Sequence, residues 1–290
     1  MSSIQVPNPL QEAARATTST FGKWTAAHRM LPTFLISGAQ RCGTTSMYKT
    51  LTGHPQVLPA VLHKGVHYFD TNYGRGPSWY RGHFPTRVAA RRAAPANGRV
   101  ITGESSPYYM FHPMAGRRIA ADLPDAQLII LLRDPVERAY SAFTHESARG
   151  FEHEPFERAL ALEESRLAGE EERLLADPTY VSLHHQHHAY VRRGRYVHQL
   201  ERLEREIGRH RMLVIDSGDL FTDPAPVFDR ICQFLGLAQW RPESFGQYNA
   251  RPRPDLDDGL RRHLAKVFQD DDERLGVWLG RTPSWRRCAR

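Results

Sequence analysis

The segment GAQRCGTTS, from Gly38 to Ser46, has residue types and a spacing that could bind a phosphate group. Its glycines follow the pattern G-x-x-x-x-G, which lets backbone N–H groups converge on an anion at the start of a helix. A nucleotide-hydrolysing P-loop continues with Lys and then Ser or Thr, whereas this segment continues with Thr44 and Thr45. Arg41 places a cation inside the loop instead. The segment therefore predicts a phosphate site without the lysine that reaches the outer phosphates of a nucleoside triphosphate.

A second group with possible chemistry is the histidine cluster HHQHH, from His184 to His188. Its first and last members are one helical turn apart, which is a spacing found in metal sites. No acidic residue or cysteine stands beside them in the sequence, so a solvated or substrate-facing helix is favoured and no metal ligand is assigned. The three cysteines are odd in number and lack metal-ligand spacing, so reduced thiols are expected.

Short apolar segments alternate with helical patterns along the chain, and these elements must position the loop. Residues 33–37 predict a buried strand that stops at Gly38, and residues 45–51 predict the helix that follows. Further strands are predicted at 100–104, 128–133 and 212–216, and helices near 136, in FERALALEESRL, in HHAYVRRGRYVHQLERLEREIG and in PAPVFDRICQFLGL. The alternation predicts an α/β fold, P-loop-like and three-layered, with a central, mostly parallel sheet flanked by helices.

The chain of 290 residues is expected to form one domain over residues 31–290, preceded by a flexible N-terminal arm at 1–30 that lacks apolar periodicity. No apolar segment is long enough to cross a bilayer and no signal-peptide core is visible, so no membrane association and a cytoplasmic location are expected. The net charge is +7, yet only four of the 39 basic residues are Lys and the Arg are spread along the chain. This pattern favours an enzyme with an anionic cofactor over a nucleic-acid partner.

The loop resembles the 5′-phosphosulfate loop of the sulfotransferases that use 3′-phosphoadenosine 5′-phosphosulfate (PAPS), where Lys or Arg precedes G-T-T/S. A second segment, LLRDPVERAYSAF at 131–143, is similar to the family's 3′-phosphate segment. GESSPYYMFHP, RGRYVHQLERL, MLVIDSGDLFTDP and the C-terminal segment ERLGVWLGRTPSW also resemble bacterial and heparan-type sulfotransferase domains, so that the likeness extends from about residue 33 to 285.

The resemblance implies that PAPS is the cofactor, that its product is PAP (adenosine 3′,5′-bisphosphate), and that no metal is needed. It places the 3′-phosphate at Arg133 and Ser141, and Arg251 and Arg253 in a segment that closes over the cofactor. Together with the loop, the implied cofactor-binding residues are Gly38, Gln40, Arg41, Cys42, Gly43, Thr44, Thr45, Ser46, Arg133, Ser141, Arg251 and Arg253. Arg41 and Lys64 would act near the transferred sulfuryl group, since cations there stabilise charge on the leaving oxygen.

The chain departs from the family's pattern at the general base. Carbohydrate sulfotransferases show K-E-x-H-x-F-D, with Glu as the base, whereas this chain has KGVHYFD and places Gly65 at the position of that Glu. A positioned base contributes about 10²- to 10⁴-fold to the rate, so a substitute is expected if the acceptor is an alcohol. His67 is the first candidate, with His63 and Glu104 in reserve. Glu104 could equally be a hydrogen-bonding carboxylate of the core.

The sequence favours a PAPS-dependent sulfotransferase that acts on a hydroxyl, or with less support an amine, of a carbohydrate or small natural product. Two alternatives remain open: a kinase or nucleotidase with a degenerate P-loop, which would need magnesium, and a noncatalytic protein that binds PAP or PAPS. The identity of the acceptor and the oligomeric state are not readable from the sequence.

Overall fold

Five parallel strands form the central sheet of the computed structural model, which describes residues 22–95, 98–246 and 254–287. The sheet has the order β2-β3-β1-β4-β5. Phe34 of β1 lies opposite Gly103 of β3 on one side and Gln127 of β4 on the other. The strands are β1 Phe34–Gly38, β2 Val57–Leu58, β3 Ile101–Ser105, β4 Gln127–Leu132 and β5 Met212–Asp216. Every residue of β1 and β3 is buried, as expected when helices cover both faces of a parallel sheet.

Helices connect the strands and cover the sheet. In the described residues they are α1 Thr44–Thr52, α2 Pro77–Arg81, α3 Arg87–Ala93, α4 Ala115–Asp122, α5 Pro135–Ala148, α6 Phe156–Leu167, α7 Glu170–Ala176, α8 Leu183–His187, α9 Tyr196–Ile207, α10 Ser217–Thr222, α11 Pro224–Leu235, α12 Asp258–Val267, α13 Gln269–Leu279 and α14 Ser284–Arg287. Helix α9 shows how the helices pack through one apolar face. This face is formed by buried residues that recur every three to four positions: Val197, Leu200, Leu203 and Ile207.

The predicted fold class is confirmed: the sheet is parallel throughout and helices flank it. The predicted strands at 33–37, 100–104 and 128–133 lie within one residue of β1, β3 and β4, and the predicted strand at 212–216 is β5. Helix α11 ends at Gly236, whose φ of 63° is the left-handed conformation that favours glycine at this position.

Two elements differ from the prediction. The two-residue strand β2 was not predicted, because a run that short carries no periodicity. The pattern at 187–208 predicts one continuous helix, but α8 ends at His187 and α9 begins only at Tyr196, with a 3₁₀ turn at Arg192–Gly194 between them. The backbone N–H groups of Val191 and Arg192 donate to the carboxylate of Glu163 instead of to helical carbonyls, at 2.7 and 2.8 Å.

The described part of the expected N-terminal arm, residues 22–30, packs against the chain around α2. Ala26 and Arg29 are buried, and the Arg29 guanidinium donates to the carbonyl of Phe84 at 2.7 Å. Over the described ranges, no helix combines the length and the apolar character that crossing a membrane would require.

The carboxyl ends of β1, β3 and β4 meet at one edge of the sheet. The loop at 39–43 leaves β1 there, Ser106 follows β3, and Arg133 follows β4. In open parallel sheets ligands bind in the crevice beyond these strand ends. The fold therefore brings the candidate phosphate loop and Arg133 to the same crevice.

Candidate active site

A cavity of about 530 Å³ opens at this edge of the sheet. Its described wall comes from the loop after β1, from Lys64 and His67, from the ends of β3 and β4, and from α5 and α8. The lining residues are Gln40, Arg41, Gly43, Thr44, Thr45, Ser46, Lys64, His67, Ser105, Pro107, Tyr108, Arg133, Ser141, Thr144, His145, Arg149, Gln186, His187, Arg193 and Phe221. None of these described lining residues is Asp or Glu, while several are cationic, so the cavity suits an anionic ligand.

The loop turns into helix α1 through Gly43, whose φ of 90° is left-handed. A side chain is strained in that conformation, and a Cβ at this position would also approach the Phe221 ring to 3.3 Å. Helix α1 begins directly afterwards at Thr44, so its first backbone N–H groups and the positive end of its dipole face the cavity wall. Arg41 also has a left-handed backbone, with φ of 70°.

The two segments that the sequence assigned to phosphates are in direct contact. The Arg41 Nε donates to the Ser141 Oγ at 3.1 Å, which joins the loop after β1 to helix α5. Arg133 lies at the end of β4 and also lines the cavity, and its guanidinium pairs with Glu137 at 3.3 Å. Loop and helix thus form one continuous polar wall.

Lys64 approaches the first turn of α1, where its Nζ donates to the Thr45 Oγ1. Burial, and secondly the charge of Lys49, lowers the pKa of the Lys64 ammonium group. An ammonium group with little competing water interacts strongly with an anion at the same helix terminus.

His67 presents an imidazole to the cavity from a strained backbone, since its φ is 54°. Its Nδ1 is 2.8 Å from the buried Asp70 Oδ2, so a proton on Nδ1 is held by the carboxylate and Nε2 carries the lone pair of the neutral ring. Burial lowers the pKa of His67, but the charge and the hydrogen bond of Asp70 more than offset it, and the pKa is raised above its ordinary value.

The absence of a side chain at Gly65 leaves room for the His67 imidazole. A Cβ at Gly65 would lie 2.8 Å from the Ser105 carbonyl oxygen and 3.4 Å from the His67 Nε2. The space that a side chain at position 65 would enter is therefore bounded by backbone on one side and by the imidazole on the other. With the implied Glu replaced by glycine, the imidazole is the basic group at this place.

Glu104 lies behind the cavity wall and is not among its lining residues. The side chain is fully buried, and its carboxylate accepts hydrogen bonds from the Val66 backbone N–H and from the hydroxyls of Ser106, Tyr80 and Tyr109. Burial raises the pKa of the Glu104 carboxyl even though these four bonds favour the ionised form.

Three other predicted residues are not part of the cavity lining, and two more are not among the described residues. Gly38 and Cys42 do not line it, and the Cys42 backbone N–H donates to the Ala39 carbonyl. His63 does not line it either; its ring lies 5.4 Å from that of His83. Arg251 and Arg253 fall outside the described residues.

The histidine cluster is only partly solvated. His185 and His188 are buried, and the Nδ1 atoms of His184 and His188 are 2.9 Å apart, in hydrogen-bond contact with each other. Within the described ranges, no group of three His, Cys, Asp or Glu side chains could hold a metal ion. His187 lines the cavity, stacked on Phe151 and bonded through Nδ1 to Glu146 at 2.9 Å.

The sequence did not single out a buried network that supports the loop. The Arg193 guanidinium donates to the Gln40 side chain and to the carbonyls of His185 and Gln186, and it lies over the Tyr108 ring at 4.8 Å. Burial lowers the pKa of Arg193 to about 10. Gln40 and Tyr108 are far from Arg193 in the chain, so no local sequence pattern predicts these two contacts.

Comparison with known proteins gives one family. The family model described as "Sulfotransferase domain" matches residues 31–248. A solved structure of a sulfotransferase from Alicyclobacillus acidocaldarius superposes with a TM-score of 0.65 at 28% identity, covering 89% of this chain and 99% of that one.

The curated relatives include heparan sulfate enzymes. The bifunctional heparan sulfate N-deacetylase/N-sulfotransferase 1 of Caenorhabditis elegans is 26% identical over 287 residues, and the human heparan sulfate glucosamine 3-O-sulfotransferase 3B1 is 26% identical over 281 residues. Each alignment covers 89% of this chain, but 31% of the first protein and 65% of the second. The chain thus spans about a third of the length of the bifunctional relative.

Proposed function

Because the chain belongs to the sulfotransferase domain family, we propose that it transfers a sulfuryl group from PAPS to a hydroxyl of a carbohydrate or small natural product. The observation that carries this proposal is the junction of two anion-binding segments in one cavity. The amino end of α1 and the pair Arg133 and Ser141 share a wall, joined by the contact between Arg41 and Ser141. A cofactor with phosphate groups at both its 5′ and 3′ positions fits two such segments.

The chain's own residues would hold PAPS in two places. The first turn of α1, with Gly43, Thr44 and Thr45, suits the 5′-phosphosulfate, because N–H groups and the helix dipole stabilise an anion there. Arg133 and Ser141 suit the 3′-phosphate. PAPS supplies an activated sulfuryl group, and Arg41 and Lys64 would stabilise negative charge on the bridging oxygen as its bond to sulfur breaks.

His67 would supply the base. Its Nε2 would take the proton of the acceptor hydroxyl as the acceptor oxygen bonds to sulfur, and Asp70 would stabilise the resulting imidazolium. The close approach of the imidazole to the Cβ position of Gly65 supports this role, because it leaves the ring where the family's pattern places a glutamate side chain. In this mechanism no metal ion is needed.

The relatives support a carbohydrate acceptor, since their names record sulfation of heparan sulfate at both nitrogen and oxygen. A hydroxyl is favoured over an amine because an unassisted hydroxyl is a poor nucleophile, and a histidine paired with Asp70 lines the cavity. A phosphotransferase with a degenerate P-loop would need magnesium, and a noncatalytic protein would bind PAP without turnover.

Thermal unfolding with ligands separates these three functions. At about one hundred times Kd, a ligand stabilises the folded chain by roughly 2.7 kcal/mol. We expect PAP with EDTA to raise Tm by a few degrees. Stabilisation only by ATP with magnesium would contradict the proposal, and binding of PAP without PAPS-dependent sulfation of any screened acceptor would favour the noncatalytic alternative.

Replacement of the base tests the catalytic step. His67→Ala is expected to lower kcat by about 10²- to 10⁴-fold with the affinity for PAP unchanged. His63→Ala, which removes the other nearby candidate from outside the cavity wall, should retain wild-type kcat. Full turnover in His67→Ala would exclude His67 as the base.

A further inference from the structure

Glu104 is bonded, directly or through one hydroxyl, to three successive backbone N–H groups of the segment that carries His67. The Val66 N–H donates to Glu104 Oε2 at 2.8 Å. The His67 N–H donates to the Ser106 Oγ at 3.0 Å, and that hydroxyl donates to Glu104 at 2.6 Å. We propose that Glu104 is a positioning residue that fixes the backbone of the catalytic histidine; the proposal rests on the function proposed above.

The third N–H group belongs to Tyr68 and is reached through Tyr109. The Tyr68 N–H donates to the Tyr109 hydroxyl at 2.9 Å, and this hydroxyl donates to Glu104 Oε1 at 2.8 Å. Glu104, Ser106 and Tyr109 are fully buried, so water does not compete for these bonds. One carboxylate therefore determines the direction of three consecutive peptide groups.

This arrangement accounts for the strained backbone of His67. Successive N–H groups around a left-handed residue converge on an anion, and here the anion is the protein's own carboxylate. A non-glycine residue with φ of 54° costs free energy and persists only where its surroundings determine it. The hydrogen bonds to Glu104 hold the His67 backbone in this conformation. Asp70 then holds the ring through Nδ1.

The bonds to Glu104 would affect catalysis through the position of the His67 imidazole. If the 66–68 backbone relaxed toward ordinary φ values, the imidazole would turn away from its place beside Gly65 and the contact with Asp70 would lengthen. A displacement of about 1 Å in a reacting group can cost on the order of 10²-fold in rate. Glu104 would thus act on the reaction without touching the acceptor.

Two tyrosines provide a matched test. Tyr80 and Tyr109 both donate to Glu104 Oε1 at 2.8 Å, and both rings are buried. Only the Tyr109 hydroxyl passes the bond on to the His67 segment. Replacement of either tyrosine by Phe removes one hydroxyl and keeps the ring. If Glu104 had only a structural role, the two variants should change kcat and the pH profile equally.

We expect Tyr109→Phe to lower kcat at least tenfold, to leave KM for PAPS unchanged and to shift the acid limb of the pH profile to lower pH, because the bond to Asp70 that raises the pKa of His67 weakens. Tyr80→Phe should keep the wild-type profile. Equal kcat values and equal profiles in the two variants would overturn the proposal.

A pair of serine variants and an NMR titration test the same proposal independently of the tyrosine variants. Ser106→Ala removes the hydroxyl that links His67 to Glu104, whereas Ser37→Ala removes a buried hydroxyl that lacks a hydrogen-bond partner in the described structure. If a tyrosine variant fails to fold, the serine pair replaces it: Ser106→Ala is expected to lower kcat and shift the acid limb, and Ser37→Ala to keep the wild-type values. NMR titration of the His67 ring measures its pKa without turnover, so the positioning proposal stands or fails separately from the sulfotransferase function.

Discussion

Gly65 and His67 share one small space beside the carbonyl of Ser105. A Cβ at position 65 would come within 2.8 Å of that oxygen, which belongs to β3 and cannot retreat easily. We expect Gly65→Ala to destabilise the fold by about 1–3 kcal/mol, as overpacking does, and to lower kcat through displacement of the imidazole. Urea unfolding and steady-state kinetics measure the two effects.

Gly74→Ala is the control for this substitution. Nothing lies within 4 Å of a Cβ at Gly74, so this variant should unfold near the wild-type midpoint with unchanged kcat. If Gly65→Ala and Gly74→Ala behaved alike, position 65 would not be crowded as described.

The pH dependence follows from the contact between His67 and Asp70. The pKa of His67 is raised in the folded chain, so the neutral ring, which would be the active form of the proposed base, forms as pH rises through a value above about 6.5. The stability contributed by this pair has the opposite dependence: it is fully present below about pH 6.5 and is lost as pH rises through the folded pKa.

Asp70→Asn is expected to move the acid limb of kcat to lower pH and to reduce kcat at the optimum, because the amide neither raises the pKa nor stabilises the imidazolium. A pH–rate profile of the variant beside the wild type measures both changes. An unchanged acid limb would mean that a group other than His67 controls it.

Among the elements, the turn from β1 into α1 has a close counterpart elsewhere in the chain. Gly43 precedes α1 with φ of 90°, and Gly169 precedes α7 with φ of 74°; both are left-handed helix caps. Alanine at either position is expected to cost about 1–2 kcal/mol of stability. Only Gly43→Ala should weaken PAP binding, because only that turn forms part of the cavity wall.

Calorimetric titration with PAP and chemical unfolding of both variants check this prediction. A loss of PAP affinity in Gly169→Ala equal to that in Gly43→Ala would show that general destabilisation, and not the geometry of the loop, weakens binding.

Elements with a local pattern were predictable from the sequence. The glycines around Arg41, the apolar strands and the helix that places Ser141 are each recorded in a few neighbouring residues. Glu104 and Arg193 also have buried tertiary contacts, since Val66 and Gln40 come from other loops of the chain. The sequence left Glu104 evenly divided between core and active site for this reason, and the two residues of β2 are too few to show a period.

At the scale of the whole molecule, the cavity lining differs from the rest of the chain in its charge. The chain carries 32 acidic residues, but none belongs to the described lining, which includes Arg41, Lys64, Arg133, Arg149 and Arg193. We expect the affinity for PAP to fall as salt rises, since added ions screen the partly exposed cations. Adenosine, which lacks the phosphates, should bind weakly and with little dependence on salt.

Titrations of both ligands at low and high sodium chloride measure the difference. Equal salt dependence for PAP and adenosine would indicate that the cations of the wall do not contact the phosphates.

The strand order has a consequence for the chain as it is made. β1 occupies the middle of the sheet, yet its neighbours β3 and β4 and the Ser141 that contacts Arg41 all leave the ribosome after it. A nascent chain halted before Gln127 would contain the whole loop after β1, but β4, one of the two strands that flank β1, would still be missing. The proposed cofactor site, which needs Ser141 beside Arg41, is therefore complete only after translation has passed α5.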